Sequence, residues 1–409
     1  MSIFRRAISY YFQSFVGFSA QAWWLALVTL VNRAGAMVIP FLSLYLAADL
    51  GFTLERVGWV MTSFGAGSLV GAWIGGKLTD QLGFYKIMVF SLALSGLTLF
   101  IMSFFENYWL ILVGVFFFTL TSDAFRPPAY VAIAAYSRPA NRTRAITLVR
   151  LAINLGFSIG PALGGWIISG MGYRLLFWVD GATCAIAALL IWVLLSPKRQ
   201  VSHDVSNTHG TAGIPAAKQE VPYKDYRYLV FLVGLFLFAA MFFQYFSVMP
   251  VYYKVHWSLS EGEIGLLMAV NGLLIFFFEM PLIYALDDRS RFSRFFILLV
   301  AAFLLGGGFL ILNFSNWTGI LVIGMTLATL AEMLCFPFAN AVAMERGAKG
   351  HTGMYMAYFQ VAFSLAHLVG HNMGMRFSGR YDYPTVMYLF TIGSVVSAIV
   401  FWGVRKKVL

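Results

Sequence analysis

The chain has 409 residues, of which 60% are hydrophobic, 17% aromatic and only 11% charged, with a mean hydropathy of +0.79 and a formal net charge of +11. A soluble domain carries about 25% charged residues, so this composition excludes an ordinary globular enzyme and describes a chain that lives in lipid. The positive charge does not point to nucleic acid, because the cations gather in the loops on one side of a series of apolar stretches.

Crossing a hydrocarbon core about 30 Å thick takes about 20 apolar residues of helix. Residues 1–21 come first: Arg5 and Arg6, then an amphipathic stretch with Tyr10, Tyr11, Phe12 and Phe15, expected to be a cytoplasmic segment in the membrane interface with no cleaved signal peptide. Spans are then predicted at 22–48, 56–80, 86–104, 107–134, 142–170 and 173–196. A polar stretch, 197–226, reads as a cytoplasmic linker because it lacks apolar periodicity and is rich in Ser, His, Thr, Gly, Lys and Pro. Six further spans follow at 227–254, 262–286, 293–313, 317–343, 351–377 and 382–404, with a short cytoplasmic tail at 405–409. The expected fold is an all-α membrane protein of 12 transmembrane helices, a six-helix bundle over 22–196 and a second over 227–404.

The loop cations fix an orientation. Arg5, Arg6, Lys77, Lys86, Arg138, Arg142, Arg144, the linker cations, Arg289, Arg291, Arg294, Arg346, Lys349 and the tail cations share one side, while Arg56, Arg174, Lys254, Arg376 and Arg380 fall on the other. The positive-inside rule makes the first side cytoplasmic, so both termini are expected inside a cytoplasmic (inner) membrane. Cys184 and Cys335 lie within spans, at no spacing that suits a metal or a disulfide framework.

The two halves repeat each other at a constant offset of 210: Pro40, Pro127, Gly160 and Gly164 correspond to Pro250, Pro337, Gly370 and Gly374. Two similar bundles that face each other can expose a central site to either side in turn, so duplication predicts transport by alternating access. An enzyme is not expected, because no catalytic Ser/His/Asp, paired-Asp, zinc or phosphate-loop pattern is present.

The loop after the second span, Gly75-Gly76-Lys77-Leu78-Thr79-Asp80-Gln81-Leu82-Gly83-Phe84-Tyr85-Lys86, resembles the signature loop of the major facilitator superfamily, with Gly76, Asp80, Gly83 and Lys86 in the pattern and Gln81, Phe84 and Tyr85 in place of residues that are often basic. The resemblance implies a cytoplasmic gate in which the Asp80 carboxylate pairs with a cation or a helix end. Gly156-Phe157-Ser158-Ile159-Gly160-Pro161-Ala162-Leu163-Gly164-Gly165 is similar to the glycine-proline motif of the antiporter branches. Its small residues offer a face for close helix approach, and Pro161 bends the helix, which makes it a hinge or a seal. Asp123-Ala124-Phe125-Arg126-Pro127-Pro128, and the region from Arg346 through Tyr355, Tyr358, Ser364 and Gly370, resemble the multidrug exporters of the same superfamily. The resemblance covers about 22–404 and implies proton-coupled efflux of a small organic solute.

Ionisable groups inside spans cost about 2.5–3.5 kcal/mol on insertion scales and so mark a pathway or a partner. The candidates for the substrate cavity are Asn32 and Arg33 in the first span, Arg126 in the fourth, Arg150 and Asn154 in the fifth, Gln244 and Tyr245 in the seventh, and His367 and His371 in the eleventh. Cations dominate the first half and carboxylates the second, which suits a zwitterionic or polar amphiphilic solute. The proton-coupling candidates are Glu332, Glu279 and Asp123, because burial disfavours the charged form of a carboxylate and its proton then follows its exposure. Asp123 and Arg126, three apart, can also pair with each other. Arg33, Arg126 and Glu332 occupy places similar to those of the charged residues in proton-coupled peptide transporters, so import of di- and tripeptides is the alternative, although Val31 and Asn32 stand where that family has glutamates. His367 and His371, four apart, share a helical face, but two ligands are too few for a metal site. No metal and no cofactor is expected; the partners are a small-molecule substrate, protons and the bilayer, with a monomer as the default state.

Overall fold

A computed structural model describes residues 18–137, 142–197, 222–287, 293–347 and 352–405. Most of the predicted N-terminal segment, most of the linker and most of the tail lie outside the described residues. Among those described there is helix and no strand, in twelve long helical runs. Their boundaries fall within a few residues of expectation, since capping side chains set them. Ser19 accepts from the Ala22 N–H, Asn107 from the Trp109 N–H and Ser293 from the Phe296 N–H. Eleven runs are long and apolar enough to cross a membrane. The exception is the eleventh span, Thr352–Arg380, which has the length but also carries Gln360, Ser364, His367, His371 and Asn372.

Three spans expected to be continuous are broken. The first is Ala20–Gly35 followed by Val38–Leu44 and a π-helical turn, Tyr45–Asp49; the fourth is Tyr108–Asp123 and then Arg126–Tyr136; the seventh is Tyr226–Phe242, a 3₁₀ turn Phe243–Phe246, and Val248–Val255. Each break lies within the two turns before a proline: Ala36 and Met37 before Pro40, Ala124 and Phe125 before Pro127, and Phe243 to Ser247 before Pro250. A proline ring collides with the carbonyl four residues earlier and supplies no N–H to it, so the chain gives way there. Pro337, the repeat partner of Pro127, sits instead inside an unbroken helix, Gly319–Gly347, as do Pro161 in Arg142–Met171 and Pro281 in Glu261–Asp287.

The described chain divides into two compact units. One gathers the first span through Val38, the second from Ala66, the third, the fourth, the fifth through Gly160, and the sixth, Arg174–Leu194. Within it, Gly67, Gly71 and Gly75 form a ridge on the second span, Leu54–Leu82, and a Cβ on each would lie 2.4, 2.2 and 2.4 Å from the carbonyl oxygens of Phe116, Leu120 and Ala124. Only glycine lets the two backbones touch along that line. The core of this unit gathers Leu25, Val28, Phe84, Leu92, Phe125 and Ile191 around Tyr136.

The other unit gathers Ile39–Gly65, Pro161–Tyr173 and the seventh to twelfth spans. Here the fifth span meets the eighth, Glu261–Asp287, backbone to backbone: a Cβ on Gly165 would lie 2.2 Å from the Glu261 oxygen, and one on Gly265 would lie 2.2 Å from the Pro161 oxygen. Glu261 closes this end by pairing with Lys254 at 2.7 Å and accepting from the Tyr173 hydroxyl at 3.2 Å.

At the basic end of the same unit, Asp225 ties three spans together. It accepts from Arg346 Nε at 2.7 Å and Nη2 at 3.2 Å, from the Tyr355 hydroxyl at 3.0 Å and from the Tyr228 N–H at 3.2 Å. Burial pushes the Asp225 carboxyl up, but the hydrogen bonds from Arg346, Tyr228 and Tyr355 outweigh it and hold the group below the usual carboxylate range. A depressed value means that this contribution to stability is present above the unfolded value of about 3.9 and is lost as pH falls through the folded one. Arg346→Ala, which leaves the carboxylate buried without its cation, is expected to destabilise the protein by about 3 kcal/mol at neutral pH. Thermal unfolding in detergent measures it, and the loss should shrink below about pH 4.

Candidate functional site

In the first unit the predicted polar residues surround the break in the first span. Asn32 is buried and its amide donates to Cys184 Sγ at 3.5 Å. Arg33 lies over the Phe157 ring at 5.5 Å, and its Nε is buried with no hydrogen-bond partner among the described residues. Gly156 and Gly160 make room for this turn: a Cβ on Gly156 would lie 2.5 Å from Arg33 Cβ, and one on Gly160 would lie 3.3 Å from the Ala34 oxygen. Asp123 is buried, paired with Arg126 Nε at 2.8 Å, and accepts from the Ser68 hydroxyl. Arg33 is close enough to interact electrostatically with both Asp123 and Arg126. Arg126 and Arg150 are exposed and Asn154 is half-buried.

One residue of this cluster escapes sequence reasoning. Asp180, on the sixth span, is 2% exposed, and its Oδ2 accepts from the N–H groups of Met37 and Val38, both at 3.2 Å. Those donors lose their helical partners at the break. The signal in the sequence is the presence of a carboxylate within an apolar span, which by itself is costly.

In the second unit the carboxylates separate. Glu332 is half-buried on the tenth span and accepts at 2.9 Å from the Asn271 amide, which also donates to Thr329 at 3.0 Å. Asn271 lines a small hollow with Phe242, Tyr245, Phe246, Met268 and Met325. Glu279 is buried lower on the eighth span, two residues before Pro281. Tyr245 thus borders the hollow, whereas Gln244 is fully buried and spends its amide on the Ala240 and Gly370 oxygens, at 2.6 and 2.8 Å. A Cβ on Gly374 would lie 1.8 Å from Gln244 Oε1, so this glycine makes room for the seventh-span break, as Gly156 does for the first.

His367 and His371 face each other with ring nitrogens 3.2 Å apart. His367 stacks on Phe243 with ring centroids 3.4 Å apart, and Phe64 packs against both imidazoles. Among the described residues no group of three potential metal ligands occurs.

The residues expected to form the gate lie at the end of the second span and the turn after it. Gly76 is half-buried, with Pro127 4.0 Å from where its Cβ would lie, Asp80 and Lys86 are exposed, and Gly83 turns the chain at φ 85°, a conformation that a side chain would strain. Pro161 and Gly164 are buried on the fifth span, beside its contact with the eighth.

A sequence model described as the Major Facilitator Superfamily matches residues 25–371 and again 257–408. The chain belongs to that superfamily. Its relatives include the Na(+), Li(+), K(+)/H(+) antiporter of Planococcus maritimus, 22% identical over 83% of this chain and 85% of the relative. The quinolone resistance protein NorA of Staphylococcus aureus is 26% identical over 56% of this chain and 58% of its own length. Among solved structures, a POT family transporter in complex with 5-aminolevulinic acid covers 96% of this chain and 98% of its own, with a TM-score of 0.78 and 13% identity, a likeness of fold. This major facilitator chain is therefore a multi-pass secondary transporter of small molecules and not an enzyme, resembling the drug:proton antiporter-like branch.

Proposed function

We propose that the chain exports a small organic solute across the cytoplasmic membrane in exchange for protons, working as a monomer with both termini inside, and that Glu332 carries the proton. The observation that supports this reading most is the partner of Glu332. The Asn271 amide has both donor and acceptor atoms, so by turning over it can serve the carboxylate or the carboxylic acid, and either protonation state is hydrogen-bonded. Antiport is favoured by the glycine-proline motif and by the likeness to the Na(+), Li(+), K(+)/H(+) antiporter, and export of an organic solute by the likeness to the quinolone resistance protein. Arg33, whose Nε lacks a partner, is the group we assign to an acceptor on the solute, with Asn32 and Arg126 beside it. The cytoplasmic side follows from the positive-inside bias.

The test is reconstitution in liposomes with lumenal pH recorded while cationic drugs, dipeptides and anionic metabolites are offered in turn. Proton movement driven by the drugs supports the proposal. A response to dipeptides alone replaces it with peptide import, and no proton movement with any solute under any gradient overturns the coupling. Asp80→Asn is expected to slow turnover roughly tenfold, a transition-state cost of about 1.4 kcal/mol, while leaving substrate affinity within twofold, because Asp80 is exposed at the end of the second span. Equilibrium binding and initial transport rates on the same preparation check this, and a large loss of binding by a folded variant contradicts the placement.

A further inference from the structure

The residues set aside so far include one buried carboxylate with an unusual task. The break in the first span takes the N–H groups of Met37 and Val38 from their helical partners, Met37 keeping a local bond to the Gly35 oxygen at 2.6 Å, and the sixth span answers both with a single oxygen, Asp180 Oδ2. The other oxygen, Oδ1, lies 3.8 Å from Cys184 Sγ, and Cys184 in turn receives the Asn32 amide. Close packing fixes the same place: a Cβ on Gly35 would lie 2.4 Å from Thr183 Cβ. Asp180 therefore connects the broken turn with the two residues, Asn32 and Arg33, that stand just before it.

We propose that Asp180 binds a proton during the transport cycle, and that its ionisation sets the geometry of the first-span break, making it a positioning residue for Asn32 and Arg33. The proposal deepens the proton-coupled reading above and rests on it for its role in transport. Two N–H donors to an ionised oxygen are charge-assisted and strong. Adding a proton to the carboxylate, on Oδ1, removes that charge and leaves Oδ2 a neutral carbonyl oxygen, a weaker acceptor for the two N–H groups. The break then loosens, and the turn carrying Asn32 and Arg33 loses its fixed end.

The groups facing Asp180 can be named. From the first span comes the cation Arg33, from its own helix Cys184, and Arg33 interacts in turn with Asp123 and Arg126 of the fourth span. The third span, Phe84–Met102, packs alongside and carries Lys86 only at its exposed end, while its Ser95 hydroxyl reaches Cys184. The repeat shows that a broken span does not require such a carboxylate. At the offset of 210, Phe390 stands in place of Asp180, Phe242 and Phe243 in place of Asn32 and Arg33, and the neutral Gln244 holds the seventh-span break.

The test is backbone hydrogen exchange across residues 36–44 in the full chain in lipid nanodiscs, corrected for intrinsic rates, from pH 8.5 to pH 5.5. In the wild type, protection is expected to fall by about tenfold toward acid, as the charge-assisted bonds weaken. In Asp180→Asn, whose amide oxygen still accepts but cannot titrate, protection should be flat with pH, while solute exchange keeps the pH dependence that Glu332 supplies. Wild-type protection that does not change with pH overturns the proposal without any variant being needed. So does a folded Asp180→Asn protein whose protection follows the wild-type pH profile. If no solute moves protons, the coupling reading fails separately, and the wild-type exchange measurement still decides whether Asp180 binds a proton at the break.

Discussion

Glu332→Gln is expected to abolish transport driven by a pH gradient while leaving substrate binding, and counterflow at constant pH, nearly intact. The replacement has almost the same shape and can still meet the Asn271 amide, but it cannot take up or release a proton. Loss of drive without loss of binding is the signature of a coupling group, because a purely structural role would cost both. Glu279→Gln is the control for the competing carboxylate. If Glu332→Gln works uphill at the wild-type rate and Glu279→Gln does not, the carrier is Glu279. If both remain fully active, the proton is carried elsewhere, with Asp123 and His367 next to be replaced.

Gly265→Val is expected to reduce turnover by roughly 100-fold. Its Cβ would lie 2.2 Å from the Pro161 oxygen, a backbone atom that cannot step aside without moving the fifth span. Overpacking of this kind costs about 3 kcal/mol, which corresponds to roughly 100-fold in the population of the closely packed arrangement. Gly165→Val meets the Glu261 oxygen in the same way and should behave alike. Gly170→Ala is the matched control, since nothing lies within 4 Å of the position its Cβ would take, and it should transport normally. Transport rates normalised to folded protein in the membrane measure all three. Normal turnover by Gly265→Val would mean that the fifth and eighth spans do not need this contact to complete a cycle.

The helices, their order and most of their ends were legible in the sequence, because lipid imposes length and apolarity and because Ser19, Asn107 and Ser293 mark starts by a local rule. The duplication was legible too, since Gly160 and Gly370 keep their spacing, and both prove to be points of close backbone approach. The breaks were not. Pro40, Pro127 and Pro250 coincide with interrupted helices, but Pro161, Pro281 and Pro337 do not, and at the first break the group that takes up the freed N–H donors is contributed by another span. That group is remote in sequence: Asp180 stands 143 residues from Met37. Likewise Gln244, a polar residue inside an apolar run, reads as a cavity residue until its amide is seen bonded to Gly370, 126 residues away. Asp123 and Arg126 are the opposite case, since a pair three apart on one face is visible before folding and forms as expected.

The modest apolarity of the eleventh span has a consequence for how the protein is made. A helix carrying Gln360, Ser364, His367, His371 and Asn372 gains little by leaving the insertion machinery for lipid alone. Its flanking helices, Gly319–Gly347 and Tyr383–Val404, are strongly apolar, so Thr352–Arg380 is expected to enter the bilayer with their help rather than alone. Shortening Tyr383–Val404 is therefore expected to lower the insertion of the helix before it as well as its own.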